Sequence, residues 1–318
     1  MSTSTQAPSR EERERAAAER ADAVQRVQRR DRWIRRIPLL PALLFTIVIT
    51  QVPFLVSIYY SLTEWTIVPP RPRVFIGFEN YRDLVTNSFF IDAVRVSVVM
   101  TVGSVLLSLL LGTLIALLLD RRFFGQGFVR TLLITPFLVM PVVAGLVWST
   151  QMFHSLFGVL NWLLAAVGLE RIPFVSQAPL GSIMTVLVWQ WTPFMMLIVL
   201  AGLQGQSTDV LEAARVDGAK PFAIFTQITL PHLRPYLELG VLLGSIYLIQ
   251  VFDHIAVMTG GGPGSTNVPY FVFQRSIGGG WQFGQASAYS IVVVLASIGI
   301  AIFGLRVLSG LLKGEEPA

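Results

Sequence analysis

Long apolar stretches separated by short polar segments run along almost the whole chain, and this alternation predicts helices that cross a membrane. At about 1.5 Å per residue, the longer stretches can cross roughly 30 Å of hydrocarbon. We expect six spans, at about residues 37–62, 93–119, 129–152, 179–203, 236–259 and 288–311. Prolines within three of these spans predict kinks, because a helix loses a backbone hydrogen bond at each proline. These prolines are Pro41, Pro53, Pro136, Pro141 and Pro193.

The composition supports a membrane protein and excludes several kinds of site. Of the 318 residues, 53% are hydrophobic and only 14% are charged, whereas a soluble domain carries roughly 25% charged residues. The chain has no cysteine, which excludes disulfides, cysteine-based metal sites and thiol nucleophiles. With only three histidines present, a histidine-rich metal cluster is not expected.

The distribution of positive charge predicts the orientation in the membrane. If the N-terminus is cytoplasmic, the cytoplasmic segments carry 18 of the 24 lysines and arginines. Cytoplasmic loops are enriched in these residues, so we expect both termini in the cytoplasm. The resulting division is a basic segment over residues 1–36, a membrane domain over 37–312 and a tail over 313–318. The basic segment is either a solvated helix or tail, or an arm that docks on anionic lipid or a partner.

A polar insert interrupts the apolar pattern between the fourth and fifth spans, on the predicted cytoplasmic side. Residues 207–235 read "STDVLEAARVDGAKPFAIFTQITLPHLRP" and predict two short helices. Asp209 is expected to cap the first helix, and Gly218 to end it in a left-handed turn. Pro221 suits the first turn of the second helix, which we expect Pro231 to stop.

One side of the first of these helices carries almost no side chain. Ala213, Ala214 and Gly218 lie along it, so a groove on another protein can approach the backbone closely. From the residues alone, the insert is either an element that docks on a partner or a plain connection between spans.

The insert also resembles a known motif. "EAARVDGAKPFAIFTQITLPHLRP" is similar to the EAA motif of importer-type ABC permeases, in which Glu-Ala-Ala is followed by Asp-Gly-Ala and later by Ile-x-Leu-Pro. The resemblance implies that this helix pair docks into a cleft of a cytoplasmic ATPase and couples it to transport. The residues that carry the implied coupling role are Glu212, Ala213, Ala214, Asp217, Gly218 and Ala219.

Three further segments resemble the sugar, polyol and glycerol-3-phosphate branch of the same family, and the likeness extends over about residues 37–312. They are "GFENYRDL" (77–84), "TPFLVMPVVAGLVW" (135–148) and "FDHIAVMTGGGPGSTN" (252–267). The resemblance implies an all-α integral membrane protein with the type I ABC importer permease fold, in the plasma membrane of a bacterium.

The resemblance also implies the partners. These are a second, similar permease subunit, which we expect to form a heterodimer with this chain, two cytoplasmic ATPase subunits and an extracytoplasmic solute-binding protein. ATP is bound and hydrolysed by the ATPase subunits, so we expect no catalytic residue, metal or cofactor in this chain. Membrane lipid is the remaining expected partner, and nucleic acid is not expected.

Polar and aromatic side chains inside the fourth and fifth spans are the candidates for a substrate pathway, because intramembrane polar groups are costly unless they are functional. Tyr247 and Gln250 share one helical face, and Asp253 lies beside them. Trp189 and Trp191 offer ring faces that stack on the C–H faces of a sugar. The resemblance independently implies carbohydrate contacts on these two spans.

Each candidate also has a plain structural interpretation. The two tryptophans suit interfacial anchoring or packing, and Tyr247 and Gln250 suit hydrogen bonds between helices. Asp253 is expected near the outer end of its span, either solvated or paired with an arginine of a partner. His254 is expected to be a packed or surface histidine rather than a proton relay.

These observations together predict the membrane permease subunit of an ABC importer that takes up a sugar or polyol by alternating access. The alternative is a permease of the same architecture for glycerol-3-phosphate or a glycerophosphodiester, which would need Arg or Lys in the cavity. The fourth and fifth spans contain neither. An intramembrane enzyme would need clustered His, Cys or paired carboxylates within the spans, and the sequence offers no such cluster.

Overall fold

The computed structural model describes residues 37–121 and 123–312, so the predicted segments 1–36 and 313–318 lie outside the described residues. The chain divides into two compact units, Met1–Tyr59 and Tyr60–Ala318. Nearly all the described part of the first unit lies in helix α1 (Leu40–Ser61), which follows a 3₁₀ turn at Ile37–Leu39. Helix α1 is apolar on all sides and contains Pro53, as expected of a membrane span.

The second unit is almost entirely helical. A short antiparallel hairpin pairs β1 (Thr63–Glu64) with β2 (Val74–Phe75). The helices that follow are α2 (Glu79–Thr86), α3 (Ser88–Leu119), α4 (Gln126–Leu138), α5 (Pro141–Val147), α6 (Val159–Ala166), α7 (Phe174–Gln177), α8 (Pro179–Gln204), α9 (Thr208–Val216), α10 (Pro221–Ile224), α11 (Leu230–Leu248), α12 (Asp253–Met258), α13 (Val268–Arg275) and α14 (Phe283–Leu312). Two π-helical turns, Trp148–Met152 and Phe225–Thr229, continue α5 and join α10 to α11. The predicted all-α class is confirmed.

Within the described residues, four helices are long and apolar enough to cross a membrane. They are Leu40–Ser61, Ser88–Leu119, Pro179–Gln204 and the stretch Phe283–Ile302 of α14. Helix α4 and the helical stretch Pro141–Met152 are bent by 96° at Val139 and Met140, and the pair makes a fifth crossing if it is counted as one span. The kink predicted in the third span is therefore a full break in the helix.

The core of the second unit is built on close contact between α3 and α8. Gly112 of α3 allows this approach, because a Cβ atom there would lie 2.7 Å from the backbone nitrogen of Met196 and 2.8 Å from Cβ of Met195. Gly244 of α11 faces Met195 from the other side, where an added Cβ would lie 2.5 Å from the methionine methyl group. Small residues on two helices thus bring the backbones of three helices together, as is typical of membrane helix packing.

The region predicted as the fifth span is not one helix. It consists of α11, a break at Ile249–Phe252, and the short helix α12. The expectation that Pro231 would stop the preceding helix is wrong, because the helical run continues from Pro221 through the π turn at 225–229 into α11. The π turn widens the backbone just before the proline, where a regular α-helix would clash with the ring.

Candidate functional site

The two breaks in the helices, together with α8, line a cavity of about 360 Å³. We call it the aromatic cavity. Four of the five residues predicted for the substrate pathway line it, namely Trp191, Tyr247, Gln250 and Asp253. Residues from 137–141, at the break between α4 and α5, and from 251–254, after α11, complete its walls. The cavity therefore lies where regular helical backbone is interrupted.

Aromatic rings form one wall of this cavity. The Trp191 ring lies 5.6 Å from that of Tyr247 and 5.8 Å from that of Phe137, measured between centroids. Phe252 adds a further ring to the lining. Tyr247 is 59% exposed, so its ring is available to a molecule in the cavity. A mostly apolar lining with a few polar groups is typical of small-molecule sites.

A buried glutamine holds the polar side of the cavity in place by hydrogen bonds. The sequence did not single out this glutamine as a site residue. Gln190 is 4% exposed, and its amide nitrogen donates to the carbonyl oxygen of Val139 at 2.6 Å. This carbonyl belongs to the break before Pro141, so Gln190 satisfies a backbone group that the helix leaves unpaired. Sequence alone could mark Gln190 as an intramembrane polar residue, but not reveal a partner 51 positions away.

The same glutamine determines which ring nitrogen of His254 carries the proton. His254 is 3% exposed. Because the Gln190 amide nitrogen faces a carbonyl, its oxygen Oε1 faces Nε2 of His254, at 2.9 Å. A carboxamide oxygen only accepts, so Nε2 of His254 carries the proton and donates it. His254 is thus a packed histidine that ties α12 to α8.

Gln250 and Asp253 supply acceptor oxygens to the cavity. The amide nitrogen of Gln250 donates to the carbonyl of Ile246 at 3.0 Å, which leaves its Oε1 free to accept. Asp253 lies at the start of α12, and within residues 37–121 and 123–312 it forms no ion pair. The cavity can therefore accept hydrogen bonds from a ligand rich in hydroxyl groups.

Trp189 lies apart from the other four predicted residues. Its ring packs edge-to-face on Trp148, 5.5 Å between centroids, and Trp148 in turn contacts Phe153. Trp189 does not line the aromatic cavity. Successive residues of a helix point about 100° apart, so Trp189 and Trp191 cannot share one face, and packing is the role the structure gives Trp189.

The predicted coupling segment forms the helix α9 and the turn after it. Gly218 has φ of 79°, and the amide of Ala219 donates to the carbonyl of Ala214 at 3.0 Å. The amide of Gly218 donates to Arg215 at 3.1 Å, which completes a Schellman motif. The prediction of Asp209 as the N-cap is wrong, because α9 begins at Thr208 after Ser207.

The coupling segment is also largely uncovered. Glu212, Ala213, Asp217 and Gly218 are exposed, and Ala214 and Ala219 are half-buried. Large apolar side chains near them are also exposed to solvent: Val210 is 50%, Val216 87% and Phe222 78% exposed. An apolar surface this open on a polar insert is typical of a protein contact.

Comparison with known proteins places the chain in one family. Residues 108–310 match the family described as "Binding-protein-dependent transport system inner membrane component". The chain is 37% identical to the probable ABC transporter permease protein y4oQ of Sinorhizobium fredii over 82% of this chain and 85% of the relative. It is 33% identical to the trehalose/maltose transport system permease protein MalF of Thermococcus litoralis, over 85% and 91% of the two chains.

The fold is shared with a solved transporter. A chain of a bacterial ABC transporter involved in the import of the acidic polysaccharide alginate superimposes with a TM-score of 0.76. The match covers 90% of this chain and 98% of the other at 21% identity. The chain therefore belongs to the family of binding-protein-dependent transport system inner membrane components and is a multi-pass permease subunit of an ABC transporter, with the fold predicted from its sequence.

Proposed function

We propose that this permease imports a neutral carbohydrate, a sugar or polyol, through the aromatic cavity. The observation that carries the proposal is the pairing of the Trp191 and Tyr247 rings with the free acceptor oxygens of Gln250 and Asp253 in one 360 Å³ cavity. Ring faces suit the C–H faces of a sugar, and the acceptors suit its hydroxyl groups. The match to a trehalose/maltose permease supports the same substrate class.

The charge of the cavity argues against the alternative of glycerol-3-phosphate or a related phosphodiester. Asp253 is the charged residue of the lining, and no lysine or arginine accompanies it among the described lining residues. A phosphate placed there would meet a carboxylate without a cation, which is unfavourable in a partly desolvated site. A neutral ligand has no such penalty and can donate its hydroxyl protons to Asp253.

We further propose that α9 and α10 dock on a cytoplasmic ATPase subunit, which binds the ATP. One side of α9 carries almost no side chain, at Ala213, Ala214 and Gly218. The support for docking is that the apolar side chains of Val210, Val216 and Phe222 near this side are exposed. The complex would contain two ATPase subunits, a second permease subunit and an extracytoplasmic binding protein that delivers the carbohydrate. A heterodimer of permeases is the expected arrangement.

The helix that follows the coupling segment provides a route by which a displacement at the ATPase contact can reach the aromatic cavity. The run from Pro221 to Leu248 is helical throughout, and it ends at the break that lines the aromatic cavity. A displacement of α10 can therefore reach Tyr247 through continuous backbone. Gln190 holds the opposite wall, since it braces Val139 and His254 together. Alternating access would open and close the cavity between these two walls.

The test is uptake by the reconstituted complex. The chain would be purified with its partner subunits, placed in liposomes containing ATP, and supplied with binding protein and radiolabelled trehalose, maltose, glycerol or glycerol-3-phosphate. We expect ATP-dependent uptake of a neutral compound, and its loss in the Gln250→Ala variant with assembly intact. Uptake of glycerol-3-phosphate alone, or normal uptake by both Gln250→Ala and Trp191→Ala, would refute the proposal.

A further inference from the structure

A second cavity, of about 480 Å³, lies at the other end of α12 from the aromatic cavity. Asp253 and His254 at the start of α12 line the aromatic cavity, whereas Met258 at its end lines the second one. Because α12 has six residues, the two cavities are about 9 Å apart along its axis. The second cavity lies towards the predicted outer side of the membrane, beside the loop "TGGGPG".

Hydroxyl groups dominate the polar lining of this cavity, which we call the hydroxyl cavity. They belong to Ser149, Ser155, Ser176, Thr259 and Ser265. None of the described residues that line it is Asp, Glu, Lys or Arg. By contrast, the larger cavity on the other side of the same loop is lined by Asp92, Arg95 and Arg275. The hydroxyl cavity is therefore suited to a neutral ligand.

The hydroxyl groups present acceptors to this cavity. Ser149 donates to the carbonyl of Leu146 at 3.1 Å, and Ser176 donates to that of Pro173 at 3.2 Å. Thr259 donates to the carbonyl of Ile255 at 3.2 Å, and its oxygen already accepts from Ser265 at 2.9 Å and from the amide of Gly261 at 3.4 Å. Ser149 and Ser176 therefore each keep a lone pair that can accept from a ligand, whereas the acceptor capacity of Thr259 is filled by its own neighbours.

His154 adds a donor to the same cavity. Its Nδ1 accepts from the backbone amide of Leu156 at 3.2 Å, so the proton of the neutral ring lies on Nε2. The ring is held flat against Phe157, with 3.6 Å between centroids. The described residues provide no hydrogen-bond partner for Nε2, which can donate to a ligand. Acceptors together with a donor match a molecule whose hydroxyl groups do both.

The walls of the hydroxyl cavity are held in place by a buried side chain. Asn161 is 0% exposed and donates to the carbonyls of His154 at 3.1 Å and Ile172 at 2.9 Å. Its oxygen accepts from the amide of Ile172 at 2.7 Å. These bonds join the segment of His154 to the segment that begins at Pro173, and both line the cavity. A site fixed before binding loses less entropy when a ligand enters.

We propose that the hydroxyl cavity is a second binding site for a neutral polyhydroxylated ligand, where the carbohydrate rests before it enters the aromatic cavity. The proposal rests on the proposed function, because the ligand is the transported carbohydrate itself. The ligand would donate to Ser149 and Ser176 and accept from Nε2 of His154. It would then move about the length of α12 to reach Trp191.

The absence of cysteine from the sequence allows a direct test by chemical labelling. Ser176→Cys places one thiol in the hydroxyl cavity, and Val251→Cys places one in the aromatic cavity. Gln177→Cys is the matched control, since Gln177 is the exposed neighbour of Ser176 on α7 and does not line the cavity. The purified complex would be treated with a methanethiosulfonate reagent, with and without the sugar that the uptake assay identifies.

We expect the sugar to slow modification of Cys at 176 and at 251 and to leave the control unchanged. At a sugar concentration near its Kd, half of the sites are filled and the rate falls about twofold. Protection at 251 without protection at 176 would overturn the second site and leave the proposed function standing. Protection of the 177 control as strongly as 176 would likewise overturn it, because a global change would then explain both. If no neutral sugar is taken up, the proposed function fails and the second site fails with it.

Discussion

Replacement of Gly218 tests the proposed docking of α9 on the ATPase. The residue holds φ of 79° at the end of α9, and a Cβ added there would meet nothing within 4 Å. The penalty for a side chain is therefore conformational and not steric. An L-residue in this left-handed region costs about 1–2 kcal/mol relative to glycine, and a β-branched residue costs more.

This strain should appear in the docking free energy. In the free permease the turn is exposed and can relax, whereas a docked turn must keep its left-handed shape to fit a groove. A cost of 1–2 kcal/mol corresponds to an affinity about 5- to 30-fold weaker. We therefore expect Gly218→Ala to weaken ATPase binding by this factor and Gly218→Val to weaken it further. Gly218→Asn should stay close to the original affinity, because asparagine tolerates the left-handed region.

The measurement is a titration of the purified ATPase subunit against each detergent-solubilised variant. Gly125→Ala is the matched control, since Gly125 has φ of 80°, an equally open surrounding and a place outside the coupling segment. It should carry the same strain without changing ATPase affinity. Equal affinities for Ala, Val and Asn at position 218, or an equal loss in the Gly125 control, would show that the reasoning is wrong.

Three further substitutions probe the cavity and the core. Trp191→Ala should abolish most uptake while the complex assembles normally, as judged by co-purification; full uptake would contradict a role in the pathway. Gln190→Leu leaves the Val139 carbonyl unpaired and should lower the unfolding free energy by about 1–3 kcal/mol, seen as a lower melting temperature; an unchanged melting temperature would show that water replaces the amide. Gly112→Ala should destabilise the fold by about 1–3 kcal/mol through overpacking, whereas Gly127→Ala, whose Cβ meets open space, should not; equal melting temperatures would contradict the tight contact.

Local patterns predicted the turn at the end of α9 well. The Gly218 turn follows from helix-favouring residues that end at a glycine, and the structure contains it as a complete Schellman motif. The same local rules misjudged Asp209 and Pro231. A helix start shifts easily by one or two residues, and a π turn at 225–229 lets the backbone continue past the proline.

The sequence by itself determined the class of the protein, because apolar stretches of membrane length are a property of composition along the chain. Tertiary structure alone decided which polar residues meet. Gln190 braces a carbonyl 51 positions away, and only the break before Pro141 makes that carbonyl available. Tryptophans two positions apart separate into a packing role for Trp189 and a cavity role for Trp191. Hydropathy records how apolar a span is, whereas a cavity depends on where several spans break and which faces they turn to one another.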